Sequence, residues 1–394
     1  MTIAVDVLGS AHRKSKRRTF NLFTPLDQSE YSAAEKVRHF YSLDILRAVA
    51  AVVVLAWHYE HFFSASSTFK RVDLPLYWLL MPFYEYGYWA VGGFWVISGF
   101  VFAHVYSGKI VKASEFAAAR FARLYPLHLI TLVFIGIEQI VSFKTLGHYT
   151  LVAGNSKTDF VRHLFFVAGW GFTNAVNFNG PIWSVSVEIA IYIGFFLLAR
   201  RLFAFGVTIP SVIVGSMALL LNEQSPINNF CLCAFFFFLG SILYYWLIRF
   251  WDRPLMLAMP AVLSLATFTY YVSNGFLPHM RFFDVQCFLF PPIVLFAGWF
   301  DFQPHLHRKI KPLKWFGDTT YSTYLWHFPI QVFVLTVFSN FGLGIKFFES
   351  PLVLILWIVG VVALAHFSFV YLEKPLQRWC NTLFRRAQAI EPRN

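Results

Sequence analysis

Residues 41–63 read YSLDILRAVAAVVVLAWHYEHFF, an apolar run long enough to cross a bilayer that nonetheless carries Arg47 and His58. Eleven residues separate the two. At about 1.5 Å rise and 100° per residue, a helix carries His58 roughly 16 Å beyond Arg47 and returns it to within about 20° of the same azimuth. They share a face. A guanidinium and an imidazole on one stripe at membrane depth cost on the order of a few kcal/mol, and such groups line a bundle interior or a substrate path. The stripe therefore marks a buried reaction site. Asp44 lies one turn before Arg47 on the same side, where it can hold the guanidinium, and His61 follows His58 by three residues toward the outer end.

The rest of the chain has the same character. Of 394 residues, 58% are hydrophobic, 20% aromatic and only 13% charged, which excludes an ordinary soluble domain. Ten apolar runs are expected to span, at 41–63, 85–106, 124–143, 180–199, 207–222, 230–248, 255–273, 284–300, 318–339 and 351–372. This predicts an all-α integral membrane bundle of about ten helices with both termini cytoplasmic. The basic residues test the count, because cytoplasmic connections should hold the Lys and Arg excess. With the amino terminus inside, 25 of the 32 basic residues fall on the inner side, and the outer side keeps only Lys70, Arg71, Lys144, Lys157, Arg162, Arg281 and Lys346. The net charge of +12 thus reflects topology and attraction to anionic lipid or an anionic cofactor. No nucleic-acid motif is present, and RKSKRR near the amino terminus reads as an orientation signal.

Three units follow: a basic, mobile cytoplasmic arm over 1–40, a membrane domain over 41–378 and a cytoplasmic tail over 379–394. A retained first span is expected in place of a cleavable signal, since no short apolar core with a small-residue cleavage site follows the basic cluster. Cys231, Cys233, Cys287 and Cys380 lack metal-ligand spacing and read as packing residues, so no metal is expected.

Further polar groups interrupt the spans. GYWAVGGFWVISGF places Gly92, Gly93, Ser98 and Gly99 in one helix, where small residues admit a neighbouring backbone or wall a narrow channel. Arg120 and Arg123, three apart in KIVKASEFAAARFARLYP, suit either a phosphate grip or interfacial anchoring. The outer connection 144–181 contains the amphipathic run DFVRHLFFVAGWGF, which reads either as a lid or as an interfacial helix; its Trp170 and nearby amides could offer a sugar platform. In PIWSVSVEIAIY, Ser184, Glu188 and Tyr192 form a stripe at spacings of four. A lipid-facing carboxylate would be expensive, so Glu188 faces inward, for structural pairing or to orient a catalytic histidine. Tyr321, Tyr324, His327 and Gln331 form a second stripe in DTTYSTYLWHFPIQ.

Taken in order, LDILRAVAAVVVLAWH, GGFWVISGF, RFARLYP, WSVSVE, YSTYLWH and the closing YLEKP resemble the membrane acyltransferase-3 family, integral membrane O-acyltransferases of bacterial surface glycans. The resemblance covers roughly 40–378, including an Arg followed after ten residues by His, here Arg47 and His58. Ala48 and Ala119 stand where many members carry Gly and a basic residue.

The resemblance implies transfer of an acyl group, usually acetyl, from cytoplasmic acyl-CoA to a glycan or glycolipid hydroxyl at a bacterial inner membrane. Arg47, Arg120 and Arg123 would then hold the phosphates of acetyl-CoA, with His58 acting as general base and Glu188 orienting it. Asp44, Ser184, Tyr321, Tyr324 and His327 would support the site. A covalent acyl-histidine is the mechanistic rival. A glycan flippase or exporter without covalent chemistry is the alternative function, and an envelope-biosynthesis complex could supply partners.

Overall fold

The computed structural model describes residues 23–390 apart from 29, 31, 33–36, 38, 65–67, 108, 110, 153, 173–176, 203 and 275–281. The basic cluster at 13–18, together with Lys36, Arg38, Asn174, Arg281 and Arg393, lies outside the described residues. No strand occurs among the described residues. The helices are α1 Tyr41–His58, α2 Tyr77–Tyr86, α3 Ala90–Tyr106, α4 Ala113–Leu146, α5 Lys157–Leu164, α6 Trp183–Leu202, α7 Thr208–Leu220 and α8 Asn228–Phe250. They continue with α9 Pro254–Ser273, α10 Phe282–Asp301, α11 Pro304–Ile310, α12 Lys314–Asp318, α13 Thr320–Asn340, α14 Pro351–Ser368 and α15 Lys374–Ile390.

Among the described residues, eight helical segments are long and apolar enough to cross a bilayer. The other two expected spans correspond to α7 and α13. The 13 residues of α7 reach only about 20 Å, short of a ~30 Å hydrocarbon core. The 21 residues of α13 begin with a polar half whose Ser322, Thr323, His327 and Gln331 are buried against protein, so α13 meets the bundle interior instead of lipid. Two expected boundaries also move. The third span begins at Ala113, which puts Arg120 and Arg123 on helix α4 and Pro126 inside it. Glu373 sits in a π-helical turn over Phe369–Glu373 that joins α14 to the basic, amphipathic α15.

Close backbone contact fixes the centre. A Cβ on Gly99 of α3 would stand 1.7 Å from the Phe237 carbonyl of α8, and one on Gly240 would stand 1.9 Å from the Val96 carbonyl. The two helices therefore cross through reciprocal glycines, and Ser241 Oγ donates to the Gly99 carbonyl at 3.2 Å. Around the crossing, Phe100, Phe102, Phe195, Phe237 and Tyr244 fill a buried aromatic core.

The first turn of α1 takes its cap from elsewhere. The Tyr41 and Ser42 amides donate to the Asp301 carboxylate at 3.2 and 3.0 Å, which satisfies donors orphaned by the helix start and places negative charge at its positive end. Asp301 closes α10, so two distant spans fix the entry of the helix that bears Arg47 and His58. Leu26, Glu30, Val37 and Phe40 are buried beside this end, and Arg249 of α8 pairs with Glu30 at 2.8 Å.

Candidate functional site

An inner cavity of about 200 Å³ lies among α1, α3, α4, α6, α12 and α13. Arg47, Arg120 and Arg123 all line it, with Ser98, Ser184, Glu188, Tyr192, Tyr321 and Tyr324. Each guanidinium is held differently. Arg47 stands 3.7 Å from Asp44, whose other oxygen meets His39 Nε2 at 2.5 Å. Gly317 makes room for this arrangement, since a Cβ there would fall 2.3 Å from the Asp44 Cβ. Arg123 donates to Glu373 at 2.6 Å, and Ser322 Oγ holds the second carboxylate oxygen at 2.6 Å. Arg120 lies over the Phe102 ring at 5.1 Å, and its Nε is buried with no hydrogen-bond partner.

That nitrogen is informative, because a buried donor left unpaired costs about 1–3 kcal/mol and calls for an occupant. Among the lining residues the carboxyl group is that of Glu188, which accepts from Tyr192 at 2.7 Å and has the Ser98 hydroxyl beside it. Arg47 and Arg123 already lean on Asp44 and Glu373, so the group left open to an anion is the Arg120 guanidinium.

His58 stands outside the lining of this cavity, in a cluster of imidazoles. Its ring centroid is 4.7 Å from that of His327 and 4.8 Å from that of His61, and its Nδ1 lies 3.3 Å from His61 Nδ1. Gln331 Nε2 donates to the His58 carbonyl at 2.8 Å. His327 Nδ1 meets the Tyr324 carbonyl at 2.6 Å; a carbonyl only accepts, so this nitrogen carries the proton. In the neutral ring Nε2 then bears the lone pair, and it is buried with no partner.

The α13 stripe joins the two places. Tyr321 lines the inner cavity and donates to the Leu124 carbonyl at 2.7 Å; Tyr324 lines it too, meeting Ser184 Oγ at 2.7 Å and the Pro181 carbonyl at 2.8 Å. One turn on is His327, against His58. From Tyr321 to Gln331 the stripe covers about 15 Å, nearly the interval that separates Arg47 from His58 on α1. The two helices thus line the same interval with polar groups.

The structure therefore brings Arg47, Arg120, Arg123, Ser184, Glu188, Tyr321 and Tyr324 to one chamber, with Asp44 behind Arg47, and sets His58 with His327 and His61. No hydrogen bond joins Glu188 to His58 among the described residues; the carboxylate keeps to Tyr192 and the guanidiniums. Ser98, Ser322 and Glu373 complete the chamber's polar contacts. The sequence signal for Glu373 was a carboxylate at the end of an apolar span, while Ser98 was embedded in a glycine stripe that packing alone explains.

A profile described as an acyltransferase domain matches residues 40–370. The chain is 34% identical over 163 residues to acyltransferase MdmB of Streptomyces mycarofaciens, covering 40% of this chain and 39% of that protein. It is 34% identical over 170 residues to protein 2 of the picA locus of Rhizobium radiobacter, covering 39% of this chain and 78% of that protein. To the peptidoglycan O-acetyltransferase OatA of Listeria monocytogenes it is 22% identical over 380 residues, or 86% of this chain and 56% of the relative. The chain thus spans 39% to 56% of the length of the two relatives named as acyltransferases. No solved structure matches it.

Proposed function

The chain belongs to the acyltransferase-3 family, and from that premise we propose that it is a membrane O-acyltransferase. It moves an acetyl group from cytoplasmic acyl-CoA to a hydroxyl of an extracytoplasmic or lipid-linked glycan, at a bacterial inner membrane. The observation that carries this reading is the convergence of Arg47, Arg120 and Arg123 on one chamber in which Arg120 Nε has no partner. Acyl-CoA is the anion that gives such a chamber a purpose. Its phosphates suit guanidiniums at the inner mouth, and its pantetheine arm is long enough to follow the polar interval toward the imidazoles. About 200 Å³ admits the end of that arm and not a whole nucleotide, so the adenine end stays at the mouth.

Transfer needs a base near the thioester. His58 takes the proton of the acceptor hydroxyl as its oxygen attacks the thioester carbon; the C–S bond breaks, and the thiolate leaves and recovers a proton. His327, with Nε2 free, holds the imidazole pair in register or receives the proton in turn. Glu188 balances the guanidiniums through Tyr192 and Ser98, a role in donor binding. The test is ester formation from labelled acetyl-CoA by the purified full chain in lipid. Coenzyme A release that depends strictly on acceptor supports direct transfer; labelled enzyme trapped without acceptor supports an acyl-histidine. Absence of any acetyl ester across a panel of glycan acceptors overturns the reading.

A further inference from the structure

A second polar recess opens on the side that the basic-residue count assigns to the exterior. It measures about 700 Å³, within the ~300–1,000 Å³ of small-ligand sites. The connection before α6 and the turn between α7 and α8 form its walls. Gly169 and Gly171 let those walls close up: a Cβ on Gly169 would meet the Trp183 carbonyl at 2.4 Å, and Gly171, at φ +82°, approaches the Pro226 carbonyl.

Resting on the transfer reading above, we propose that this recess is the acceptor site and holds a neutral sugar unit of the glycan. Trp183 supplies an aromatic face for a pyranose ring, and His163, Asn177, Glu223, Gln224 and Asn229 ring it with groups that pair with hydroxyls. Asn177 carries the assignment. Its Oδ1 meets His163 Nε2 at 2.8 Å, while its Nδ2 is buried without a hydrogen-bond partner in a residue only 4% exposed. No Lys or Arg lines the recess among the described residues, and one carboxylate does, which disfavours an anionic glycan. Position completes the argument. Trp183 packs edge-on against Trp95 at 5.9 Å, and Trp95, with Ser184 and Val185, lines the inner cavity. One turn of α6 thus separates acceptor recess from donor chamber.

Saturation-transfer NMR on the full chain in lipid nanodiscs tests this, with chitotetraose, maltotetraose and mannotetraose as neutral probes and polygalacturonate as the anionic one. At least one neutral probe is expected to show saturation, reduced fivefold or more by Asn229→Ala and by Gln224→Ala, and unchanged by Lys346→Ala, whose residue lies outside the recess. Gln224 is exposed, so its variant keeps the test valid if Asn229→Ala fails to fold. The proposal is overturned if no neutral probe saturates, if both recess variants saturate like the parent, or if polygalacturonate binds more tightly. Acetyl ester formation is scored separately: its absence beside intact oligosaccharide binding sinks the transfer reading and leaves the recess standing.

Discussion

His58 is one of three imidazoles within ring contact, and the fixed tautomer of His327 decides how they can work. Because His327 Nδ1 is committed to the Tyr324 carbonyl, its Nε2 can only accept while the ring is neutral. A base at His58 therefore has an acceptor beside it. Replacing His58 with Ala is expected to lower kcat/KM for ester formation by about 10²- to 10⁴-fold, the range for loss of a general base. Parent-level turnover in a variant that inserts normally would remove His58 from the mechanism. Arg120 offers a different measurement. Its unpartnered Nε predicts that Arg120→Ala raises the KM for acetyl-CoA roughly ten- to a hundredfold, since a charged hydrogen bond contributes about 1.5–3 kcal/mol, and leaves kcat nearly unchanged. A fall in kcat at constant KM would instead place Arg120 at the reacting atoms.

Helices set where those residues can stand, and α3 with α8 shows how little tolerance the framework has. A methyl on Gly99 would fall 1.7 Å from a carbonyl oxygen, which no rotamer change relieves. Gly99→Ala is expected to destabilise the bundle by about 1–3 kcal/mol or more, read as a lower thermal midpoint in detergent. Gly194→Ala is the control, because nothing lies within 4 Å of its added Cβ. Equal midpoints for the two variants would refute the tight crossing. The close approach was legible in GGFWVISGF, because small residues on one face have few other uses in an apolar helix. The partner was not, since nothing in the spacing of α3 points to α8. The same limit explains Glu188. Its stripe with Ser184 and Tyr192 follows from helical spacing, whereas its position beside guanidiniums and away from His58 depends on how α6 packs against α8 and α3. The place of Glu373 beside Lys374 and Pro375 points to an inner-face cation as its partner, but that the cation is Arg123, 250 residues earlier, has no local signature.

At the scale of the whole molecule, hydropathy disclosed the spans, the deeply buried α8 included, and did not set α7 and α13 apart from them. Helix α13 was expected to span over 318–339, and its buried Ser322, His327 and Gln331 connect the inner chamber to the imidazoles. The outer connection carries a condition-dependent element of its own. His163 is 2% exposed, and burial, partly offset by Asn177 and Asp159, holds its pKa below the usual 6.5. A depressed histidine pKa means that the unfolded connection binds the proton more readily. The stability it contributes is therefore present above pH 6.5 and is lost as pH falls through the folded value. Hydrogen exchange over 157–171, corrected for the intrinsic rate, is expected to accelerate below pH 6.5 in the parent and much less in His163→Gln. Identical profiles would show that His163 does not couple acidity to this wall. If both the coupling and the sugar recess hold, mild external acid weakens acceptor binding while donor binding on the opposite side is untouched. The KM for the glycan then rises as pH falls, and that for acetyl-CoA does not.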